Sequence, residues 1–274
     1  TAGCNEVNPA NHLFRSDALD VLGFNYHEQY LEPFLRNFPG RKLIVSESTS
    51  ALMTRGYYEM PSDHIYIRPE SWDKPFEAPE HVCSSYDNCH VPWGSTHEKT
   101  WHLVKTLPHV SGLFVWTGFD YLGEPTPYWW PSRSSFFGIV DLAGFPKDVY
   151  YMYKSEWTDE PVLHIFPHWN WKEGERVDIW AYYNNADEVE LYLNGKSLGV
   201  RQKTDSTYHV SWRVPFTPGT LRAVSRLGGK EVLVKEIHTA GEPARLVLTP
   251  DRSVIQADGS DLSFVTVDVC DIDG

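Results

Sequence analysis

The chain has 274 residues, long enough for two or three domains at roughly 100–200 residues each. It carries 37 Asp+Glu against 24 Lys+Arg, a formal net charge of −13, which argues against nucleic acid and anionic membrane surfaces as partners. No apolar run of about 18 residues marks a membrane-spanning helix, and four cysteines are too few for a disulfide scaffold in a chain of this length.

A short strand is placed near residues 1–5, and "DVLGFNY" (20–26) reads as a second. Over 28–38, Leu31, Phe34, Leu35 and Phe38 follow the i, i+3, i+4, i+7 spacing of an amphipathic helix, stopped by Pro39-Gly40. "KLIVSES" (42–48) then sets Leu43, Ile44 and Val45 in the short apolar run of a buried parallel strand, with Glu47 at its C-terminal end. A loop rich in Pro, Ser and His fills 48–95; loops that long are usually functional or disordered. Within it, "SDHIYIRPESWDKP" (62–75) has no metal-ligand spacing. A helix at about 96–107 leads into the strand "SGLFVWT" (111–117), and a last helix runs from Lys147 to Trp157.

Strands alternating with helices predict parallel βα units, whose chemistry sits at the C-terminal ends of the strands. At most four such strands precede residue 158, which is half of an eight-stranded barrel. A doubly wound open sheet competes, but no Gly-rich phosphate loop follows any strand, and the barrel is preferred. A half barrel would leave strand edges unpaired.

After "TDEP" (158–161) the pattern changes to period two and no helix signal remains through 238. Val177, Ile179 and Ala181 face one way, Asp178, Trp180 and Tyr182 the other. Asn194-Gly195 between two strands is a strong hairpin signal. The expectation is three units: 1–157, the C-terminal part of a (β/α)8 TIM barrel; 158–241, an immunoglobulin-like β-sandwich; and 242–274, the beginning of a further immunoglobulin-like domain.

Eleven Trp, 15 Tyr and 13 Phe beside many carboxylates suit a sugar-binding cleft, where rings stack on apolar sugar faces. Four side chains fall at or just beyond strand ends: Asn5, Tyr26, Glu47 and Trp116. A lone strand-end Glu is commonly a surface charge, and Tyr or Trp there commonly packs. Together they offer a carboxylate, a phenol to hold it ionised, an indole to stack on sugar and an amide for hydroxyls. A retaining glycosidase needs such a carboxylate about 5–5.5 Å from a second carboxyl that protonates the leaving group.

"DVLGFNYHEQ", "LIVSESTSAL", "CSSYDN", "VPWGSTHEKTW", "GLFVWTGFDYLGEPTPY" and "FFGIVDLAGFPKDVYYMYKSEW" together resemble the C-terminal half of a family 2 glycoside hydrolase barrel. They are most similar to the β-galactosidase-like branch common in gut Bacteroidetes. "VLHIFPHWNWKEGERVDIWAYYNNADEVELYLNGKSLG" resembles the sandwich domain that follows. The resemblance implies a retaining exo-β-glycosidase, most nearly a β-galactosidase, acting on an oligosaccharide or other β-glycoside without cofactor or metal. It implies Glu47 as nucleophile, Tyr26 as its hydrogen-bond donor, and Trp116 lining the subsite of the reacting sugar. Asn5 stands where some galactosidases of the branch carry Asp for sugar hydroxyls. Asp87, Asp120 and Glu124 also lie in family motifs, Asp87 as a further substrate-binding candidate.

The family's acid/base glutamate follows an Asn at the end of the fourth strand. The one Asn-Glu pair here, Asn5-Glu6, lies beside the fifth-strand motif, with no fitting helix after it. The reading is therefore a fragment whose acid, first four strands and N-terminal domains lie outside the chain, and those missing domains are its expected partners. Oligomerisation is left open, and the family's setting implies a periplasmic or secreted enzyme. In that setting Cys83 and Cys89 of "HVCSSYDNCH" (81–90), spaced unlike a zinc site, are open to a local disulfide or to free thiols. A rival reading is a carbohydrate-binding or structural module, with Trp169, Trp171 and Trp180 as a sugar platform or as braces.

Overall fold

The computed structural model describes residues 1–274 apart from positions 72 and 75, so part of the 62–75 loop lies outside the described residues. Its first region contains β1 (Ala2–Cys4), α1 (His12–Arg15), β2 (Val21–Asn25), α2 (Phe34–Asn37) and β3 (Lys42–Thr49). The long loop holds a two-residue pair, β4 (Tyr66–Ile67) with β5 (Cys89–His90). Then follow α3 (His97–Thr106), β6 (Val110–Trp116) and α4 (Asp148–Trp157). β1, β2, β3 and β6 form one parallel sheet in chain order.

Strand alternation gives this sheet two unlike faces. Leu22 and Phe24 of β2 and Leu43 and Val45 of β3 bury themselves with Phe14, Phe34, Phe38 and Val104. Phe24 lies 5.4 Å from Phe14 and 5.6 Å from Phe34, ring centre to ring centre. The opposite face of β1 to β3 carries Gly3, Gly23, Asn25 and Ser46 beside Ile44. A Cβ on Gly23 would lie 2.6 Å from the Ala2 carbonyl oxygen and 2.7 Å from Ser46 Oγ, so the strands close up there only because that residue is Gly.

The helix expected over 28–38 is broken. One 3₁₀ turn (Glu28–Tyr30) and the single turn of α2 stand in its place. Pro33 is the cause: it has no N–H, and in a helix interior its ring would meet the carbonyl four residues back. The apolar spacing is still used, since Leu31, Phe34 and Phe38 are buried, while Leu35 turns to solvent.

The remainder is all β: β7 (Leu163–Phe166), β8 (Arg176–Tyr183), β9 (Glu188–Leu193), β10 (Lys196–Arg201), β11 (His209–Pro215), β12 (Thr220–Leu227) and β13 (Lys230–His238). They make two antiparallel sheets, ordered β10-β9-β12-β13 and β11-β8-β7, over a shared core of Val177, Ile179, Ala181, Leu191, Val210 and Leu221. Asn194 (φ 50°) and Gly195 (φ 79°) form the left-handed two-residue turn between β9 and β10. The other face of β8 is not solvated. Trp180 and Tyr182 pack with Tyr86, Tyr153 and Phe166, joining the sandwich to the first region. Trp169 is buried and donates its indole N–H to the Thr217 carbonyl at 3.0 Å. Neither Trp169 nor Trp180 has a ring face to offer a sugar; both brace. Last, β14 (Arg245–Pro250) and β15 (Val265–Cys270) pair as a ribbon with Leu246, Leu248, Val267 and Val269 exposed.

Candidate active site

The site forms where β2 and β3 leave the sheet. Their pairing runs Leu22 with Leu43 through Phe24 with Val45, then jumps to Asn25 with Glu47. The extra residue, Ser46, makes a β-bulge, a device that re-aims a side chain at the end of a strand. Ser46 Oγ donates to Asn25 Oδ1 at 2.8 Å, and Asn25 Nδ2 donates to Asn5 Oδ1 at 3.0 Å. Three successive strand ends are tied in this way.

Glu47 is half-buried and held on its own strand's neighbour. The Tyr26 N–H donates to the Glu47 carbonyl at 2.8 Å, and the Tyr26 hydroxyl donates to Glu47 Oε2 at 3.0 Å. Behind it, Ser50 Oγ donates to the Tyr26 oxygen at 2.9 Å. Burial pushes the Tyr26 phenol well above its ordinary range, against the pull of the Ser50 hydrogen bond, and the Glu47 charge pushes it further. Tyr26 therefore keeps its proton and gives it to the carboxylate as a hydrogen bond.

The backbone is strained at this spot. Tyr26 (φ 57°), His27 (φ 54°), Thr49 (φ 75°) and Ser50 (φ 51°) all occupy the left-handed region that L side chains avoid. Such positions cost on the order of 1–3 kcal/mol each and cluster at functional sites. Here they turn both chains sharply enough to bring the phenol and the serine hydroxyl around Glu47.

Trp116 closes the group from the other side, its residue pairing with Thr49 across β3 and β6. Its ring meets Tyr121 edge-on at 5.9 Å, and the Tyr121 hydroxyl donates to Glu124. The Glu124 charge also reaches Tyr26, raising the phenol further. Asn5, Tyr26, Glu47 and Trp116 thus stand at the C-terminal ends of four adjacent parallel strands.

Asp87 is elsewhere. Its two oxygens accept the His97 and Glu98 N–H groups at 2.8 Å, capping α3. Burial and then the Glu98 charge push its carboxyl up to about 7, against the pull of those two donors. It lines a cavity of about 430 Å³ with Trp180, His209 and Arg213, and no described contact joins it to Glu47. Glu6 is exposed and takes a hydrogen bond from Asn8. Cys83 and Cys89 are buried free thiols, and burial pushes the Cys83 thiol well above its ordinary range. Among the described residues, no group of three or more His, Cys, Asp or Glu could hold a metal ion.

Ser50, Asn25 and the Ser46 bulge were not apparent from the sequence. "SESTS" marks Glu47 but gives no sign that Ser50 folds back onto the tyrosine of another strand. A buried pair, Lys147 with Asp120 at 2.7 Å, was equally hidden.

Comparison with known proteins sets this geometry in a class. Residues 174–233 match a family model described as a domain of unknown function, DUF4982. Over all 274 residues the chain is 62% identical to beta-galactosidase BoGH2A of Bacteroides ovatus, covering 100% of this chain and 32% of that protein. It is 33% identical to a putative beta-glucuronidase of Formosa agariphila, over 96% of this chain and 28% of that one. A beta-glycosidase from Bacteroides vulgatus superposes with a TM-score of 0.84 at 32% identity, over 94% of this chain and 36% of that chain. A glycosyl hydrolase family 2 member from Bacteroides cellulosilyticus gives 0.66 at 29% identity, over 93% and 30%. The chain thus spans about a third of the length of these relatives. By these relatives the chain falls within the glycoside hydrolase families. Within that class it belongs to family 2, and it fits the C-terminal part of such an enzyme.

Proposed function

We propose that this chain is the nucleophile-bearing part of a retaining exo-β-glycosidase, with β-galactosidase activity the best supported. The observation that carries the reading is the Ser50–Tyr26–Glu47 hydrogen-bond chain at the mouth of a parallel sheet. The sheet is read as half of a (β/α)8 barrel and the two antiparallel sheets as an immunoglobulin-like sandwich. The 62% identity to a beta-galactosidase supports the sugar, and beta-glucuronidases among the relatives mark the alternative.

A Glu47 oxygen attacks the anomeric carbon as the bond from that carbon to the leaving oxygen breaks, and a carboxylic acid outside this chain protonates that oxygen. The glycosyl ester on Glu47 is then cleaved by water, which the same outside group deprotonates. Positive charge develops on the sugar ring in both steps, and the Glu47 carboxylate stabilises it. Tyr26 holds one carboxylate oxygen, leaving the other to attack. Trp116 offers the ring on which the reacting sugar stacks, and Asn5, tied to Asn25, presents an amide to its hydroxyls. A periplasmic or secreted setting goes with this reading.

Two outcomes test it. The 274-residue chain alone is expected to hydrolyse no aryl β-galactoside, while the chain joined behind the upstream part of the Bacteroides ovatus relative does. Turnover by the chain alone that Glu47→Gln abolishes would sink the placing of the acid outside it. In the joined protein, Tyr26→Phe removes a hydrogen bond to a charged group, worth about 1.5–3 kcal/mol, and kcat/KM should fall about 10- to 100-fold. Ser50→Ala, one bond further back, should cost less. A Tyr26→Phe enzyme with unchanged kcat/KM would remove the phenol from the mechanism.

A further inference from the structure

A second aromatic surface begins where the loop after β6 leaves Glu124. The neck of that loop is closed by backbone bonds, Gly123 N–H to the Arg133 carbonyl at 2.7 Å and Ser135 N–H to the Tyr121 carbonyl at 2.8 Å. Its tip is rooted by Tyr128, which is buried among Phe76 and Phe136 and donates its hydroxyl to the Val82 carbonyl at 2.6 Å. With neck and root both fixed, the tip holds Trp129 and Trp130 out in solvent, 75% and 74% exposed. Arg133 lies over the Trp130 ring at 4.5 Å, and no described ring lies against Trp129.

Trp129 lines a groove of about 380 Å³ together with Trp93, Pro125, Pro127, Asp73 and Lys74. Trp93 is carried by backbone pinned to the nucleophile's own strand. Ser95 N–H donates to the Thr49 carbonyl at 2.7 Å, and a Cβ on Gly94 would lie 2.4 Å from that same oxygen. The other end of the groove starts one residue after Glu124, whose partner Tyr121 touches Trp116. This end of the groove therefore begins beside Glu124, the carboxylate whose charge also acts on Tyr26.

We propose that this groove is a subsite for the leaving-group side of an extended saccharide, one of whose rings stacks on Trp129. Flat apolar faces with charged side chains among them suit a sugar, whose CH face needs a ring and whose rim hydroxyls need polar partners. A hydrophobic peptide would not need Asp73 and Lys74, and a flat aryl group would not need a groove of this volume. The inference rests on the reading of Glu47 as nucleophile: it names what lies on the far side of the bond that Glu47 helps to break. It makes the substrate an oligosaccharide, and disfavours a small aryl or alkyl glycoside.

The test is direct binding to the full chain, read by tryptophan fluorescence, with galactose, β-1,4-galactotetraose and cellotetraose as probes. One or both tetrasaccharides should bind about tenfold or more tighter than galactose, the scale of a single ring stack. Trp129→Ala should bring that advantage close to one, and Trp129→Phe should keep part of it. Equal binding of all three probes, or a tetrasaccharide advantage that survives Trp129→Ala, would overturn the subsite. In the joined protein, Trp129→Ala should lower kcat/KM for the galactotetraose while Glu47→Gln stops turnover altogether. If Glu47→Gln leaves turnover intact but Trp129→Ala still loses tetrasaccharide binding, the nucleophile reading has failed and the groove stands as a saccharide site. If Glu47→Gln stops turnover and Trp129→Ala changes no probe, the groove has failed and the nucleophile stands.

Discussion

Replacing Glu47 by Gln in the joined protein should lower kcat on an aryl β-galactoside by on the order of 10⁴-fold, the scale seen when a covalent nucleophile is removed. The amide keeps the size of the carboxylate and still accepts the Tyr26 hydrogen bond, so folding and substrate affinity should change little. What is lost is the lone pair that forms the ester and the negative charge opposite the developing oxocarbenium ion. The two contributions can be separated. Glu47→Gly opens space beside the anomeric carbon, and azide added to it should restore turnover and release the α-glycosyl azide. That product follows from one inversion, where the intact enzyme makes two and retains. A loss under tenfold in Glu47→Gln, or a β-azide from the rescued enzyme, would end the case for Glu47 as nucleophile.

The strand ends that carry this site were legible because apolar runs of three or four residues fix where a buried parallel strand stops. Leu43, Ile44 and Val45 located Glu47, and "SGLFVWT" located Trp116. The helix over 28–38 was misread because periodicity reports only which residues seek the core. Leu31, Phe34 and Phe38 do reach it, on a chain that Pro33 prevents from being helical. The hydrogen-bond chain was half legible. A phenol beside a carboxylate follows from two strand ends meeting, but Ser50 reaches Tyr26 only because Thr49 and Ser50 take left-handed backbone that no composition signal announces. Asp87 was named from its motif alone. Its position in "CSSYDN" suggested the cleft, and the structure shows two helix N–H groups donating to its oxygens. A carboxylate just ahead of a helix start in space is invisible when nine residues separate it from that helix in sequence.

Lys147→Met should cost about 3–5 kcal/mol, the largest stability loss expected of any single change behind the site. The Lys147 side chain is 1% exposed and sits 2.7 Å from Asp120 Oδ2. Its ammonium also donates to the Met53 carbonyl at 2.8 Å, while Asp120 Oδ1 accepts the Gly138 N–H at 2.8 Å. Burial pulls Lys147 below the ordinary lysine range and lifts Asp120, and each charge opposes the neutralisation of the other. Methionine keeps the length of the stem and so leaves little cavity. What it removes is the partner of a buried carboxylate, and that is the costly step, because breaking a buried pair leaves one charge with no compensation. The damage should be local. Lys147 and Asp120 clamp residues 136–140 against the end of β6, where Thr117 N–H donates to the Phe137 carbonyl and Ile139 N–H to the Thr117 carbonyl, both at 3.0 Å. Hydrogen exchange at the Thr117 and Ile139 amides should accelerate by about 10²-fold or more, while the β8 and β12 amides of the sandwich keep their protection. Adding Asp120→Asn removes the stranded charge yet keeps an oxygen for Gly138, so the double variant should regain more than half of the loss. A Lys147→Met loss under about 1 kcal/mol, or a double variant as unstable as the sum of the singles, would mean that the pair is not what holds residues 136–140 against β6.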